Sequence, residues 1–395
     1  MPRPDDLTAR FHALRDLLAE YGWLWRPAPF HEPRPAWCQH LPELAAEYLA
    51  LDDASVEYLG SDNQALIERL ARHVPALADL HTLIDLPPGS VAQAQVPERL
   101  LAHIPGRKQA QILAFGAAMQ TPRHPLLEWC AGKGHLGRLI AHRHALPVTS
   151  LEIDAGLVAD GIALARRAGT DQDFVRADAL DAGTALHLHG RHVVALHACG
   201  DLHLSLLRGV VDHGAPVIDL VPCCYYRIAT PRHRPLNDDA GLDLSREELH
   251  LAVTETVTAG TRQRRIRDTA QAWKLAFLEW RGQVCTGRKQ GFKPIPAAWM
   301  NDGFAAWLRR LCLREGLSVP VAGFETFEQI GWQRLAAARR LELVRLAFRR
   351  ALEIWLVLDR ALYLRRAGFA VKVGEFCHRS LTPRNLMIQA CRQGY

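Results

Sequence analysis

The chain predicts an α/β fold built on a parallel, doubly wound sheet, with a helical domain ahead of the sheet and a basic helical insertion inside it. Three observations carry this. From Leu126 onward, short apolar runs (LLEWC, VTSLEI, FVRADAL, HVVALHA and PVIDLVP) alternate with stretches of helical periodicity, the pattern of parallel strands joined by crossover helices. A glycine-bearing loop, EWCAGKGHLG at 128–137, follows the first run and opens a helix. Later runs end in polar or acidic residues (LEID, RADAL, ALHACGDL), as buried strands do where they surface at their carboxyl ends, the edge at which such sheets bind ligands.

In chain order, residues 1–95 read as a helical N-terminal domain. Apolar positions recur at helical spacing in FHALRDLLAEY, LPELAAEYLAL and NQALIERLARHVPAL, with Pro-rich joints such as RPAPFHEPRPAW between them. The opening MPRPDDLTARFHALRDLL carries Asp5 and Asp6 and turns directly into an amphipathic pattern, so no cleavable leader is expected. Pro87, Pro88 and Gly89 mark a break, and PERLLAHIPGRKQAQILAFGAAM supplies helix leading into the sheet, whose core is expected over 96–230. After Tyr226 the alternation stops, and 231–335 reads as a mostly helical insertion. One long helix, WQRLAAARRLELVRLAFRRALEIWLVLDRALYLRRAG, then precedes two strand candidates, FAVKVGEF and NLMIQAC, so that 336–395 completes the sheet as a hairpin.

At 395 residues, with 49% hydrophobic and 23% charged residues, the chain can bury a sizeable core. Its most apolar stretch, ALEIWLVLDRALYL, is broken by Glu353, Asp359 and Arg360, short of the roughly 20 apolar residues a membrane span requires, so a membrane partner is not expected. Nine cysteines, an odd number without secretory context, predict free thiols and a cytoplasmic setting. The net charge of +6 is unevenly spread: residues 262–310 hold eleven basic residues against three acidic ones. That window, with TRQRRIR, GRKQGFK and Trp273, Trp280 and Trp299, predicts an RNA partner whose phosphates the cations would track while aromatics stack or pack. A solvated helical face with core tryptophans is the competing reading. Oligomeric state is not legible.

In the loop, Gly132 and Gly134 allow a tight turn and close approach to a ligand, and Gly137 allows a helix to pack on a strand. Glu152 and Asp154 follow about 20 residues later, where an acid can accept from ribose hydroxyls, and Asp178 at the third strand end suits an adenine amine. Together these describe an adenosine-shaped site. The sequence resembles class I S-adenosylmethionine-dependent methyltransferases, whose loop of the form E/D-x-G-x-G-x-G is matched by Glu128, Gly132 and Gly134, with Cys130 at the first glycine position. The resemblance implies a Rossmann-like class I methyltransferase sheet, S-adenosyl-L-methionine as cofactor, and a cofactor site of Glu128, Cys130, Gly132, Lys133, Gly134, Glu152, Asp154 and Asp178. Lys133 and His135 are placed to meet the cofactor carboxylate or a phosphate, or else solvent. CAGKGHLG, HACGDL, PCCYY and TPRN further resemble the domain shared by methyltransferase-like type 25 proteins, ribosomal RNA adenine dimethylase domain-containing proteins and the glutathione S-transferase C-terminal domain-containing protein. That resemblance covers about 97–228 and 340–395.

The fourth strand end lies beside the transferring methyl group in that fold. Here it holds His197, Cys199 and Asp201 where amine methyltransferases carry Asn/Asp-Pro-Pro-aromatic, which argues against an exocyclic amine as target. The fifth strand ends in Cys223, Cys224 and Tyr225. Three readings stay open. Asp201 or His197 removes a proton while the cysteines pack and Tyr225 stacks a base. Alternatively, Cys199 and Cys223 form a nucleophile pair, as pyrimidine C5 methylation needs. Or His197, Cys199, Cys223 and Cys224 hold a metal, against which the adjacent cysteines count as poor ligand spacing, so no metal is expected. Arg384 in TPRN either meets substrate or braces the hairpin.

Overall fold

A computed structural model describes residues 6–89, 96–101, 104–239, 241–254, 261–285 and 293–394. Its seven strands are β1 (Leu126–Trp129), β2 (Val148–Glu152), β3 (Gln172–Arg176), β4 (His192–Cys199), β5 (Val217–Cys223), β6 (Phe369–Glu375) and β7 (Leu386–Arg392). They form one sheet in the order β3-β2-β1-β4-β5-β7-β6. The first five run parallel, and β7 lies antiparallel between β5 and β6. The order reverses between β1 and β4, so the switch point of this doubly wound, Rossmann-like sheet opens beside the carboxyl end of β1.

The central strands are apolar because both faces are covered. All four residues of β1 are buried, and β5 is buried from Ile218 to Cys223. The helices Gly106–Ala118 and His135–His144 cover one flank, where Ile112, Phe115, Leu136 and Leu139 join Leu126, Val148, Val194 and Val221 in one core cluster. Several of the polar groups that enter this interior are paired. Asp219 of β5 accepts from His192 Nε2 at 2.6 Å and from Gln389 Nε2 at 3.0 Å. Arg350 donates to Glu353 at 2.7 Å and to Asn385 at 3.0 Å, and also pairs with Glu375.

The hairpin of β6 and β7 forms as the sequence pattern predicts, and the five parallel strands fall on the five apolar runs. Two boundaries differ. β3 spans Gln172–Arg176, starting ahead of FVRADAL and ending before its aspartate, so Asp178 lies in the loop beyond it. The long helix expected from Trp332 is two helices, Phe324–Leu346 and Arg349–Arg366, separated by a turn at Ala347 and Phe348. No glycine or proline stands at that junction, so the break follows from where each half packs rather than from local propensity.

The chain divides into two compact units, neither contiguous. The first, residues 1–20, 79–254 and 348–395, contains the sheet. The helix Leu7–Glu20 belongs to it: Phe11 stacks on Trp355 at 5.7 Å, and Arg10 donates to the Leu83 carbonyl at 3.3 Å. The second, residues 21–78 and 255–347, is helical. Its core holds Trp273, Phe277, Phe304, Trp307, Leu308 and Leu311. Trp273 donates Nε1 to Glu328 at 2.8 Å, Trp280 donates to the Ser318 carbonyl at 2.9 Å, and the Arg314 guanidinium lies over Trp299. These tryptophans pack within the unit, Trp273 buried and Trp280 and Trp299 half-buried. Of GRKQGFK, residues 287–292 lie outside the described residues. Among the described residues no helix is long and apolar enough to cross a membrane.

Candidate active site

The loop after β1 is shaped by residues at positive φ. Cys130, Gly132 and Gly134 stand at φ 55°, 60° and 61°, and the Ala131 amide is held by the Leu151 carbonyl at 2.9 Å. A non-glycine residue at such a φ carries steric strain of about 1–2 kcal/mol, which Cys130 bears and the two glycines avoid. At Gly134 an added Cβ would come within 2.4 Å of Gln172 and 2.5 Å of Phe174; at Gly137 it would come within 2.5 Å of Glu128. At Gly132 it would meet nothing within 4 Å. Gly134 and Gly137 are therefore fixed by packing, whereas Gly132 borders open space.

The acids divide by environment. Glu152 accepts from the Gly132 amide at 2.9 Å through Oε2, and from the Ile153 and Asp154 amides at 2.9 and 3.0 Å through Oε1. A carboxylate offers about four acceptor positions, so Oε2 keeps one. Asp178 is exposed and accepts from the Leu180 amide at 2.9 Å. Asp154 caps the helix Ala155–Ala168 through the Leu157 amide at 2.9 Å. Glu128 lies beneath the loop, 4% exposed, bonded to Ser150 Oγ at 2.7 Å, and burial pushes it up to about 7. Cys130 sits among these groups: burial, with Glu152, Cys199 and Asp178 nearby, pushes its thiol up to about 12. Lys133 pairs with Asp160 at 2.8 Å. His135 is buried against Arg138 at 2.6 Å rather than exposed, and burial lowers it to about 4.

The ends of β4 and β5 form the second half of the site. Cys199 and Cys223 are register partners, with their sulfurs 3.2 Å apart. The register slips between Leu196 and Ala198, where His197 takes φ 65°. A Cβ at Gly200 would fall 1.9 Å from the Arg227 carbonyl oxygen, so only glycine lets the segment after β5 cross here. The Asp201 amide donates to that same carbonyl at 3.0 Å, and its carboxylate accepts from the Ala229 amide at 2.6 Å. Asp201 thus clamps two loops together. Gln111 donates its amide to the Leu381 carbonyl, presenting Oε1 to His197 Nε2 at 3.2 Å. The imidazole therefore carries its proton on Nε2 and leaves Nδ1 as acceptor. Burial, with Arg384 nearby, lowers His197 to about 4, so the ring is neutral at pH 7.

Cys224, at φ 45°, brings its sulfur within 4.8 Å of both Cys199 and Cys223. Hydrogen bonds from the Cys199 and Cys223 thiols, with Arg227 and Arg384 nearby, hold Cys224 well below the ordinary thiol range. Cys223, bonded to its neighbours and buried, is pushed up.

Two of the readings left open by the sequence are changed. Tyr225 is fully buried, with Arg360 over its ring at 5.1 Å and His203 at its edge, and so presents no face for stacking a base. The half-buried aromatic is Tyr226, tilted against His250 with ring centroids 4.7 Å apart. Of the His-Cys set, three cysteine sulfurs cluster and His197 is not gathered with them. Gln111, Arg227 and Tyr226 were not legible as site residues, because the first comes from a helix 86 positions before His197 and the others follow the left-handed turn at Cys224. Arg384 donates to the Val253 carbonyl at 2.6 Å and so braces the chain beside this end.

Residues 107–231 match a family model described as a methyltransferase domain. Among curated proteins none matches the chain. Solved structures that it resembles include the glycopeptide N-methyltransferase MtfA complexed with S-adenosyl-L-methionine (18% identity over 40% of this chain and 69% of that one, TM-score 0.23). Others are the 23S rRNA methyltransferase ErmE (16%, 60% and 97%, TM-score 0.24) and coclaurine N-methyltransferase bound to N-methylheliamine and SAH (10%, 87% and 90%, TM-score 0.26). The loop fits S-adenosylmethionine: open space at Gly132, a free acceptor position on Glu152 and an exposed carboxylate at Asp178 supply the cradle and acceptors an adenosyl group needs.

Proposed function

We propose that this chain, a class I S-adenosylmethionine-dependent methyltransferase, methylates RNA. The observation that carries the RNA reading is the basic start of the helix Thr261–Val284, where Arg262, Arg265 and Arg267 are exposed. Arg262 and Arg265 are three residues apart and share a helix face, suited to successive backbone phosphates. Because the tryptophans of this unit are packed inside it, the contact is read as electrostatic rather than as base stacking.

Bound at the loop, the cofactor supplies an electrophilic methyl group on a sulfonium. The protein's part is placement. Gly132 leaves room for the ligand, Glu152 and Asp178 accept its hydroxyl and amine hydrogens, and the β4 end presents the acceptor. His197, neutral with Nδ1 free to accept, takes the one proton that transfer can require; Asp201 is held by the Ala229 amide and positions the loop.

The test is incubation with methyl-labelled S-adenosylmethionine and, separately, total RNA and RNA-depleted extract. Label in RNA, lost in His197→Ala, supports the reading. Label confined to protein or small molecules, and unchanged in an Arg262→Ala/Arg265→Ala variant, overturns the RNA substrate.

A further inference from the structure

Successive residues of an extended strand point to opposite faces, which is why neighbouring cysteines make poor ligand pairs. Cys224 breaks that alternation. Its backbone is left-handed, φ 45°, immediately after β5 ends at Cys223, and its sulfur lies within 4.8 Å of both Cys223 and Cys199. Among the described residues this is the one group of three side chains able to hold a metal ion.

The three positions are also fixed by backbone. Cys199 and Cys223 face each other in register, the Gly200 amide donates to the Cys223 carbonyl at 3.0 Å, and the Arg227 amide donates to the Cys224 carbonyl at 2.8 Å. Strained backbone persists where the surroundings determine it, and it gathers at binding sites. Packing alone explains small side chains at two strand ends, but it does not explain a third thiol carried back to them by a left-handed residue.

We propose that Cys199, Cys223 and Cys224 form a three-thiolate site for Zn²⁺, with a fourth coordination position left open at the acceptor end of the sheet. This goes beyond the RNA reading and does not depend on it. Zinc takes thiolates at about 2.3 Å in tetrahedral array, which sets sulfurs about 3.8 Å apart. The present 3.2 Å between Cys199 and Cys223 must open by about half an ångström, and the 4.8 Å limit on the others brackets the required spacing. As the ion binds, each thiol still protonated gives its proton to the solvent and its sulfur lone pair to the metal. The resulting site carries one net negative charge, and Arg227 and Arg384 stand near Cys224 to balance it. A zinc site with three protein ligands is of the open kind that accepts a water or a substrate heteroatom. His197 is not among the ligands, since the group of side chains close enough to share an ion holds the three cysteines without it.

The experiment is titration of the full reduced chain, without oxygen, with Co²⁺ as the visible probe. One equivalent should produce thiolate-to-cobalt charge-transfer absorption, which Zn²⁺ then abolishes. Cys199→Ser, Cys223→Ser and Cys224→Ser should each lose at least tenfold in Co²⁺ affinity, while Cys285→Ser and Cys391→Ser leave it unchanged. Absence of the absorption in the wild type, or its survival in all three serine variants, overturns the site. Alkylation of the wild type, read by mass spectrometry, keeps the test open if a variant fails to fold. Zn²⁺ should slow modification of Cys199 and Cys224 at least tenfold and leave the exposed Cys285 unaffected; equal rates with and without Zn²⁺, or a Cys199–Cys223 disulfide that survives reductant, overturn the proposal.

Discussion

The loop after β1 and the paired ends of β4 and β5 both hold non-glycine residues at positive φ, but they secure them differently. In the loop, Cys130, Gly132 and Gly134 stand within one short stretch, and the turn is closed by the end of one neighbouring strand, whose Leu151 carbonyl and Glu152 carboxylate accept from the Ala131 and Gly132 amides. At the strand ends, His197 and Cys224 are held by contacts of long sequence range: the β4–β5 register, Gln111, and the crossing of Gly200 under Arg227. A site written locally is a motif. A site written by register is a set of scattered residues that only the sheet brings together.

The largest effect that probes this difference is expected at Gly200. Its Cβ would stand 1.9 Å from a backbone oxygen, and at φ 52°, so Gly200→Ala should cost about 3 kcal/mol and separate the two strand ends. Thermal melting checks it; a melting temperature unchanged from the wild type would mean that the crossing is not what secures Asp201 and the cysteines.

Next comes pH. His197, His203 and His233 gather near the strand ends, and burial lowers all three: His197 to about 4, His233 to about 3, and His203 well below the ordinary 6.5. Between pH 6.5 and 4 the unfolded chain therefore binds protons that the native chain does not. Their contribution to stability is full above pH 6.5 and is lost as pH falls, by up to about 1.4 kcal/mol per unit from each of the buried His203 and His233. Melting at pH 7.5, 6.0 and 5.0 should show a steep acid decline, partly flattened in His233→Phe, whereas equal slopes in the two proteins would contradict the assignment.

The smallest effect belongs to the helical unit. Removing Arg262 and Arg265 should leave melting unchanged, reduce RNA affinity several-fold, and lower the slope of log affinity against log salt by about 1 per arginine. Fluorescence anisotropy at several salt concentrations measures this, and an unchanged slope would remove the arginines from the interface.

This contrast also explains what could be read before the structure. All five parallel strands and the hairpin were legible, since buried strands bounded by turn residues leave a strong apolar signal in LLEW and HVVAL. The loop glycines were legible because they stand together in one short stretch after a strand, although the side chains that fix Gly134, Gln172 and Phe174, come from a strand some 40 residues on. The inward turn of Tyr225 was not, because the left-handed Cys224 resets which side each following residue faces. Nor was the pairing of Asp201 with Ala229, or the break between Leu346 and Arg349, where no local residue signals a stop. The basic window was legible as charge, while the packing of Trp273 and Trp280 required their partners Glu328 and Ser318, some 40 to 55 residues away.

The central claim is that the loop after β1 is the cradle of S-adenosylmethionine, and titration calorimetry of the wild type and Gly132→Val tests it most directly. Because a Cβ at Gly132 meets no protein atom, the variant should stay folded while its side chain occupies the ligand's space and strains the φ of 60°. One equivalent of S-adenosylmethionine bound by the wild type, and at least a hundredfold weaker binding by the folded variant, is the predicted result; no binding to the wild type, or equal affinity in the variant, would contradict it.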